Sequence, residues 1–193
     1  MYDIPQTILI DNKEFAIRNK GDYRMVLDCL MALDDSELSK QERILSALII
    51  FYEDINGVDD LDKFPSVEEA FTKMCEFFNC GQTESSGSTN YKLIDWEQDS
   101  QLVCSAVNNV AKMEIRAVPY LHWWTFMGYY LSVGESLLGT VVNIRNKLVK
   151  GKSLEKYERE FKRSNPQYFV WKSKNAEQAS LDEEVKKLWN SGK

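Results

Sequence analysis

Along residues 23–78, apolar positions recur every three or four residues in three successive runs, each opened by a polar capping residue. Gly21-Asp22 precedes the first, Tyr23–Leu33, in which Met25, Val26, Cys29, Leu30 and Leu33 fall on one helical face. Ser39-x-x-Glu42 opens the second (Ile44, Leu45, Leu48, Ile49, Tyr52), and Ser66-x-x-Glu69 the third (Val67, Ala70, Phe71, Met74, Phe78); both read as capping boxes. Between them lies an acidic turn over 53–62, where Asn56-Gly57 predicts a tight turn with positive φ. The third helix is expected to stop at Asn79-Cys80-Gly81, with glycine as the residue after the cap. Ahead of these helices, residues 7–10 and 15–17 are short β-prone runs flanking the polar turn Asp11-Asn12-Lys13-Glu14. They predict a hairpin, which must lie against the helices because an isolated one is marginal in water.

The segment 81–91 is the one low-complexity stretch and reads as a flexible loop. Beyond it, Asp95-x-x-Gln98 is placed to cap a long helix striped by Leu102, Val103, Ala106, Val107, Val110 and Met113. Pro119 suits the first turn of an aromatic helix over 121–131. Gly134 separates that helix from an aliphatic one over 136–149, and Lys150-Gly151-Lys152 breaks the chain again. Ser153 is expected to cap a helix carrying Leu154, Tyr157 and Phe161, which Asn165-Pro166 stops. Ser180-x-x-Glu183 opens a short terminal helix that includes Trp189. The expected fold is mainly α, a bundle of seven to eight helices with a small N-terminal β-hairpin. The organisation is one domain over 1–193, with a possible N-terminal lobe 1–80, the loop 81–91, a helical core 92–166 and a tail or helix 167–193.

Composition agrees with a packed domain: 44% hydrophobic and 12% aromatic residues in 193 suffice for a sizeable core. The four cysteines form no dense framework, and the N-terminus carries no basic leader, so reduced thiols in a cytoplasm are expected. The uncharged stretch 117–134 raises the possibility of a membrane span, but His122, Thr125, Ser132 and two glycines interrupt it. Its aromatics are also dispersed rather than gathered at two interfaces, which favours a buried helix.

Candidate chemistry is sparse. Cys75 and Cys80 offer two thiolates where a structural zinc takes four ligands, and the acidic turn lacks the spacing of a calcium loop. The glycines of 81–87 come without a phosphate-binding lysine. His122, the one histidine, sits between Leu121 and Trp123 and reads as a packing and hydrogen-bonding residue. No catalytic residue, metal or cofactor is expected.

Two patterns point towards protein contacts instead. Residues 145–163 hold eight basic and three acidic side chains, so this segment carries +5 and the remainder −11 of the net −6. A solvated helix with Glu155–Arg159 and Glu158–Lys162 pairs accounts for this, as does a basic surface that docks an acidic partner, including another copy. The interleaved glutamates oppose binding to nucleic acid. Secondly, Tyr120, Trp123, Trp124, Phe126, Tyr129 and Tyr130 cannot all share one helical face. Either the N-terminal helices cover the second face or another protein does, and Trp171 and Trp189 add to the case for an interface. The expected contact residues are Trp123, Trp124, Tyr129 and Tyr130, with Arg145, Lys147 and Arg159 as electrostatic guides.

The string Leu121-His122-Trp123-Trp124-x-Phe126 is followed by Ile144-Arg145, Lys150-Gly151-Lys152 and Glu158-Arg159-Glu160-Phe161 before Asn165-Pro166. Together with the helix containing Asp99, it resembles the gene-fifteen-like proteins of long-tailed bacteriophages of Gram-positive hosts, over roughly residues 92–166 and more weakly upstream. Such genes lie between those for the major tail protein and the tape measure protein. The resemblance therefore implies a non-enzymatic tail assembly chaperone, whose partners are the tape measure protein and the tail-tube protein; the surplus aromatics and the +5/−11 split add an expectation of self-association. It would act in the host cytoplasm, with no nucleic acid or membrane partner, and be absent from the mature virion. The alternatives are a structural tail completion or connector protein, and a nucleic-acid-binding phage regulator that uses the 145–163 segment.

Overall fold

The computed structural model describes residues 3–82 and 91–171. The expected terminal helix and residues 83–90 of the expected loop lie outside them. The chain divides into two compact units, residues 1–139 and 140–193. Residues 121–124 are bonded into the N-terminal elements. Described residues form a two-stranded hairpin and seven α-helices joined by short 3-10 turns. The protein is mainly α, as its periodicity predicts.

Strands β1 (Thr7–Ile10) and β2 (Lys13–Ala16) pair antiparallel, Ile8 with Phe15 and Ile10 with Lys13. Asp11 and Asn12 both take positive φ (46° and 62°), so the turn is a two-residue one of mirror-image type, tighter than the four-residue turn expected. Ile8, Ile10, Phe15 and Ile17 are buried beneath the helices.

Helix α1 (Tyr23–Leu33) packs on α2 (Lys40–Phe51), and α2 on α3 (Val67–Phe78). Ser39 and Glu42 make both bonds of the capping box. At Ser66 the hydroxyl accepts from the Glu69 amide, but the return bond is not made. The carbonyls at the end of α2 are satisfied by Arg18, whose Nε donates to Ile50 O (3.1 Å) and whose Nη2 donates to Tyr52 O (2.9 Å). A guanidinium there also meets the negative end of the helix dipole. Phe51, Tyr52, Phe64 and Phe77 fill the space between these elements, with the Tyr52 hydroxyl bonded to Ala70 O at 2.8 Å. Gly57 lies at φ −171°, extended backbone open to any residue, so the positive φ expected there is not used.

Helix α4 (Ser100–Ala111) buries Leu102, Val103, Ala106 and Val107, while Met113 falls beyond its end and is exposed. Asp95 caps a turn just ahead of it, accepting from Gln98 N at 2.7 Å. Helix α5 (Trp123–Leu131) packs on both α1 and α4. Its N-cap is His122 and its first residue Trp123, so Pro119 lies ahead of the helix rather than in its first turn. Helix α6 (Leu137–Val149) and α7 (Lys156–Ser164) follow, with Glu155 rather than Ser153 at the N-cap of α7 and Asn165 at its end.

Three consecutive residues before α1, Asn19, Lys20 and Gly21, have positive φ. At Gly21 (φ 77°) a Cβ would lie 2.9 Å from both His122 Nε2 and Phe77 Cζ. Gly21→Ala therefore combines left-handed strain with a clash between α3 and the start of α5. Chemical denaturation should show a loss of about 2 kcal/mol or more.

Candidate protein-binding surfaces

The Leu-His-Trp-Trp string joins separate parts of the first unit through its polar atoms. Leu121 N donates to Asp22 Oδ2 and Tyr23 N donates to Leu121 O, each at 2.9 Å. Asp22 also caps α1 by accepting from Arg24 N (3.0 Å), and its carboxylate pairs with the Arg24 guanidinium at 3.1 Å. That guanidinium reaches on to Val118 O at 2.7 Å.

His122 caps α5, its Nδ1 accepting from Trp124 N at 3.1 Å. Its Nε2 lies 3.0 Å from Pro5 O. A carbonyl only accepts, so Nε2 carries the proton and the ring is neutral. Burial pushes the imidazole pKa below its ordinary value, because a charged ring would be desolvated and would set an N–H against Trp124 N–H.

The two indoles complete the junction. Trp123 Nε1 donates to Phe78 O and Trp124 Nε1 to Phe77 O, both at 2.9 Å. These carbonyls close α3, beyond the reach of its own i→i−4 bonds; Phe77 O also accepts from Cys80 N in the following turn at 3.0 Å. Around them Phe126 stacks on Tyr23 at 4.8 Å between centroids, and Trp96 lies against Trp123, Phe126 and Tyr130. The second aromatic face is thus largely covered from within the chain. Trp123 is 2% exposed and is removed from any contact surface, whereas Trp124, Tyr129 and Tyr130 are half-buried. Trp96 was not among the expected residues; an aromatic directly after a capping aspartate is the signal that points to it.

In the second unit, two of the three expected guides are engaged within the chain. Arg145 is 4% exposed, donates from Nε to Tyr168 O at 2.9 Å, and stacks on Trp171 at 4.3 Å. Lys147 Nζ binds both oxygens of buried Glu158 (2.7 and 2.9 Å). Asn143 Nδ2 and Glu155 N donate to the same carboxylate. Lys147 holds Glu158 below the usual carboxylate pKa and is itself raised. The expected Glu158–Lys162 pair is not formed, because Glu158 turns towards α6. Arg159 stays exposed, bonded to Leu154 O, so it does not form the expected pair with Glu155 either.

More exposed apolar side chains lie elsewhere. Leu131, at the end of α5, is 71% exposed, and Leu137, at the start of α6, is 46% exposed. A shallow groove of about 260 Å³ has buried Leu102, Ala106 and Leu138 in its lining together with Ser105, Asn109, Glu135, Ser136 and Leu137. A wider polar cleft of about 670 Å³ is lined by Arg18, Asp22, Arg24 and Tyr120 among others. Its Arg18, Asp22 and Arg24 are already engaged with backbone atoms or with each other. Among the described residues, no three His, Cys, Asp or Glu side chains gather as metal donors, and no helix is long and apolar enough to cross a membrane.

A family model described as "Bacteriophage Gp15 protein" matches residues 1–169. The chain belongs to this bacteriophage family. No curated protein and no solved structure matches it at a significant level. The Gp15 match takes in the hairpin and the first three helices, so it reaches well upstream of the 92–166 segment that carries the resemblance in sequence. It spans the whole Asp22–His122 junction.

Removing His122 should act through that junction. His122→Ala is expected to cost about 2 kcal/mol or more, by loss of the α5 cap and of the tie to Pro5. The pH dependence has a definite sign. The native ring takes up a proton at lower pH than the unfolded one, so stability is complete above the ordinary pKa of 6.5 and falls as the pH drops below it. Urea titrations at pH 7.5 and 5.5 should show this loss in the wild type and a smaller one in His122→Ala.

Proposed function

We propose that this Gp15-family protein is a non-enzymatic tail assembly chaperone, acting in the host cytoplasm and leaving before the virion is complete. Its client is the phage tape measure protein, which it holds soluble and extended while tail-tube subunits are loaded. The observation that carries the reading is the groove beside α4, continued at the surface by exposed leucines. Ser105 and Ala106 are small, so a client helix can approach α4 closely, with apolar anchors meeting Leu102, Leu137 and Leu138 and polar groups meeting Asn109 and Glu135. A long helical client would be held at many such sites, each of modest affinity.

Of the residues expected at the contact, Trp124, Tyr129, Tyr130 and Arg159 keep enough open surface to touch a partner. Trp123, Arg145 and Lys147 support the fold beneath it. The mechanism asks nothing of a catalytic group: the client is bound, kept from aggregating and released as the tube polymerises around it.

The test is co-expression with the tape measure protein of the same phage, followed by pull-down and light scattering. A soluble complex with several copies of this chain, formed only when both are present, is expected. Leu137→Glu, at an exposed position, should leave the fold intact and weaken capture about tenfold or more, since it places a charge on an apolar anchor site. A free monomer beside an insoluble tape measure protein would contradict the proposal. Finding the chain as a fixed component of purified particles would favour a tail completion or connector protein.

A further inference from the structure

We infer that copies of this chain associate head to tail, the outer face of α7 and its preceding turn on one copy docking onto the acidic 53–62 loop of the next. The structure sorts the charges of the second unit in a way that sequence counting does not. Of the eight basic residues between 145 and 163, Arg145 and Lys147 are spent on Tyr168 O and Glu158. Glu158 leaves the surface with them, since it is buried. Six cations remain outside, against two carboxylates, Glu155 and Glu160. Lys150, Lys152, Lys156 and Arg163 are exposed, and none of them makes an ion pair with any described residue. Tyr157, among them, is 61% exposed.

The first unit carries the complementary surface. Glu53, Asp54, Asp59 and Asp62 are exposed, and among the described residues their carboxylates make no ion pair; Asp60 alone of this loop is paired, with Lys63 at 2.7 Å. Val58, in the middle of the loop, is 61% exposed. Each surface thus has an excess of one sign of charge around an exposed apolar side chain. Docking would neutralise four carboxylates against the free lysines and arginines and bury Tyr157 and Val58 at the centre.

The signs make each contact one of a basic face on an acidic loop. Two basic faces repel, as do two acidic loops, so a two-fold contact of like on like is disfavoured. A heterologous contact uses both surfaces and leaves one of each free at the ends, so it propagates into a ring or a filament. A self-associating array would line up client grooves, but this inference stands apart from the client and is tested without it.

The test uses the full chain alone, by sedimentation velocity at 50 mM and 500 mM NaCl. Association that grows with concentration at low salt and is lost at high salt is expected, because exposed pairs are screened. Lys152→Glu/Lys156→Glu/Arg163→Glu and, separately, Asp54→Lys/Asp59→Lys/Asp62→Lys should each weaken self-association about tenfold or more with unchanged circular dichroism. An equimolar mixture of the two reversed variants should restore association. A wild type that is monomeric at low salt and high concentration would overturn the inference, as would association indifferent to either reversal. Binding to duplex DNA that requires the α7 cations, without self-association, would overturn it too and assign the face to a phosphate polymer.

Discussion

Asp22 and His122 meet across an isolated antiparallel bridge, and each caps a helix. Most of the first unit depends on this pairing. Asp22 starts α1 and receives the amide of Leu121; His122 starts α5 and reaches the carbonyl of Pro5, just ahead of the hairpin. The next two residues send their indole N–H groups to the last carbonyls of α3. Four consecutive residues therefore satisfy backbone groups of the hairpin approach, α1 and α3, groups that would be costly to leave unpaired in a buried setting. Gly21 follows from the same geometry, since the imidazole and the Phe77 ring occupy the place of its side chain.

The string that carries the family resemblance is thus part of the framework. Its aromatics give the junction bulk and hydrogen bonds, and leave recognition to less conspicuous residues. The groove beside α4, the outer face of α7 and the acidic loop are made of leucine, serine, lysine and aspartate at positions that no motif marks. Such surfaces can change their partners without disturbing the core, whereas a change at Asp22, His122 or Trp123 removes a hydrogen bond to a backbone group of another element.

Local features were legible in the sequence because local physics sets them. The start of α1 at Asp22, the Ser39–Glu42 box and the stop at Asn165-Pro166 each depend on a few neighbouring residues. Less legible was whatever depended on distant partners. Periodicity says that six aromatics around α5 must occupy more than one face, but not that Tyr23, Phe77 and Trp96 cover those faces. Charge spacing likewise allowed Glu158 to pair with Lys162 four residues on. The carboxylate instead takes Lys147 and Asn143 from α6, where a buried ion pair with additional donors replaces an exposed helical one. Arg145 was misplaced for the same reason: nothing near it in sequence announces the Tyr168 carbonyl or the Trp171 ring.

Hydrogen exchange at the tryptophan indole protons, followed by NMR on the full chain, tests the junction most directly. With Trp123 and Trp124 bonded to the end of α3, their indole protons should exchange only when the unit unfolds, slower than a free indole by a factor of about 10³ or more. Both should quicken together in His122→Ala. Rapid exchange of these two protons in a folded protein would mean that the indoles face solvent, and that the Leu-His-Trp-Trp string is a contact surface rather than the framework described.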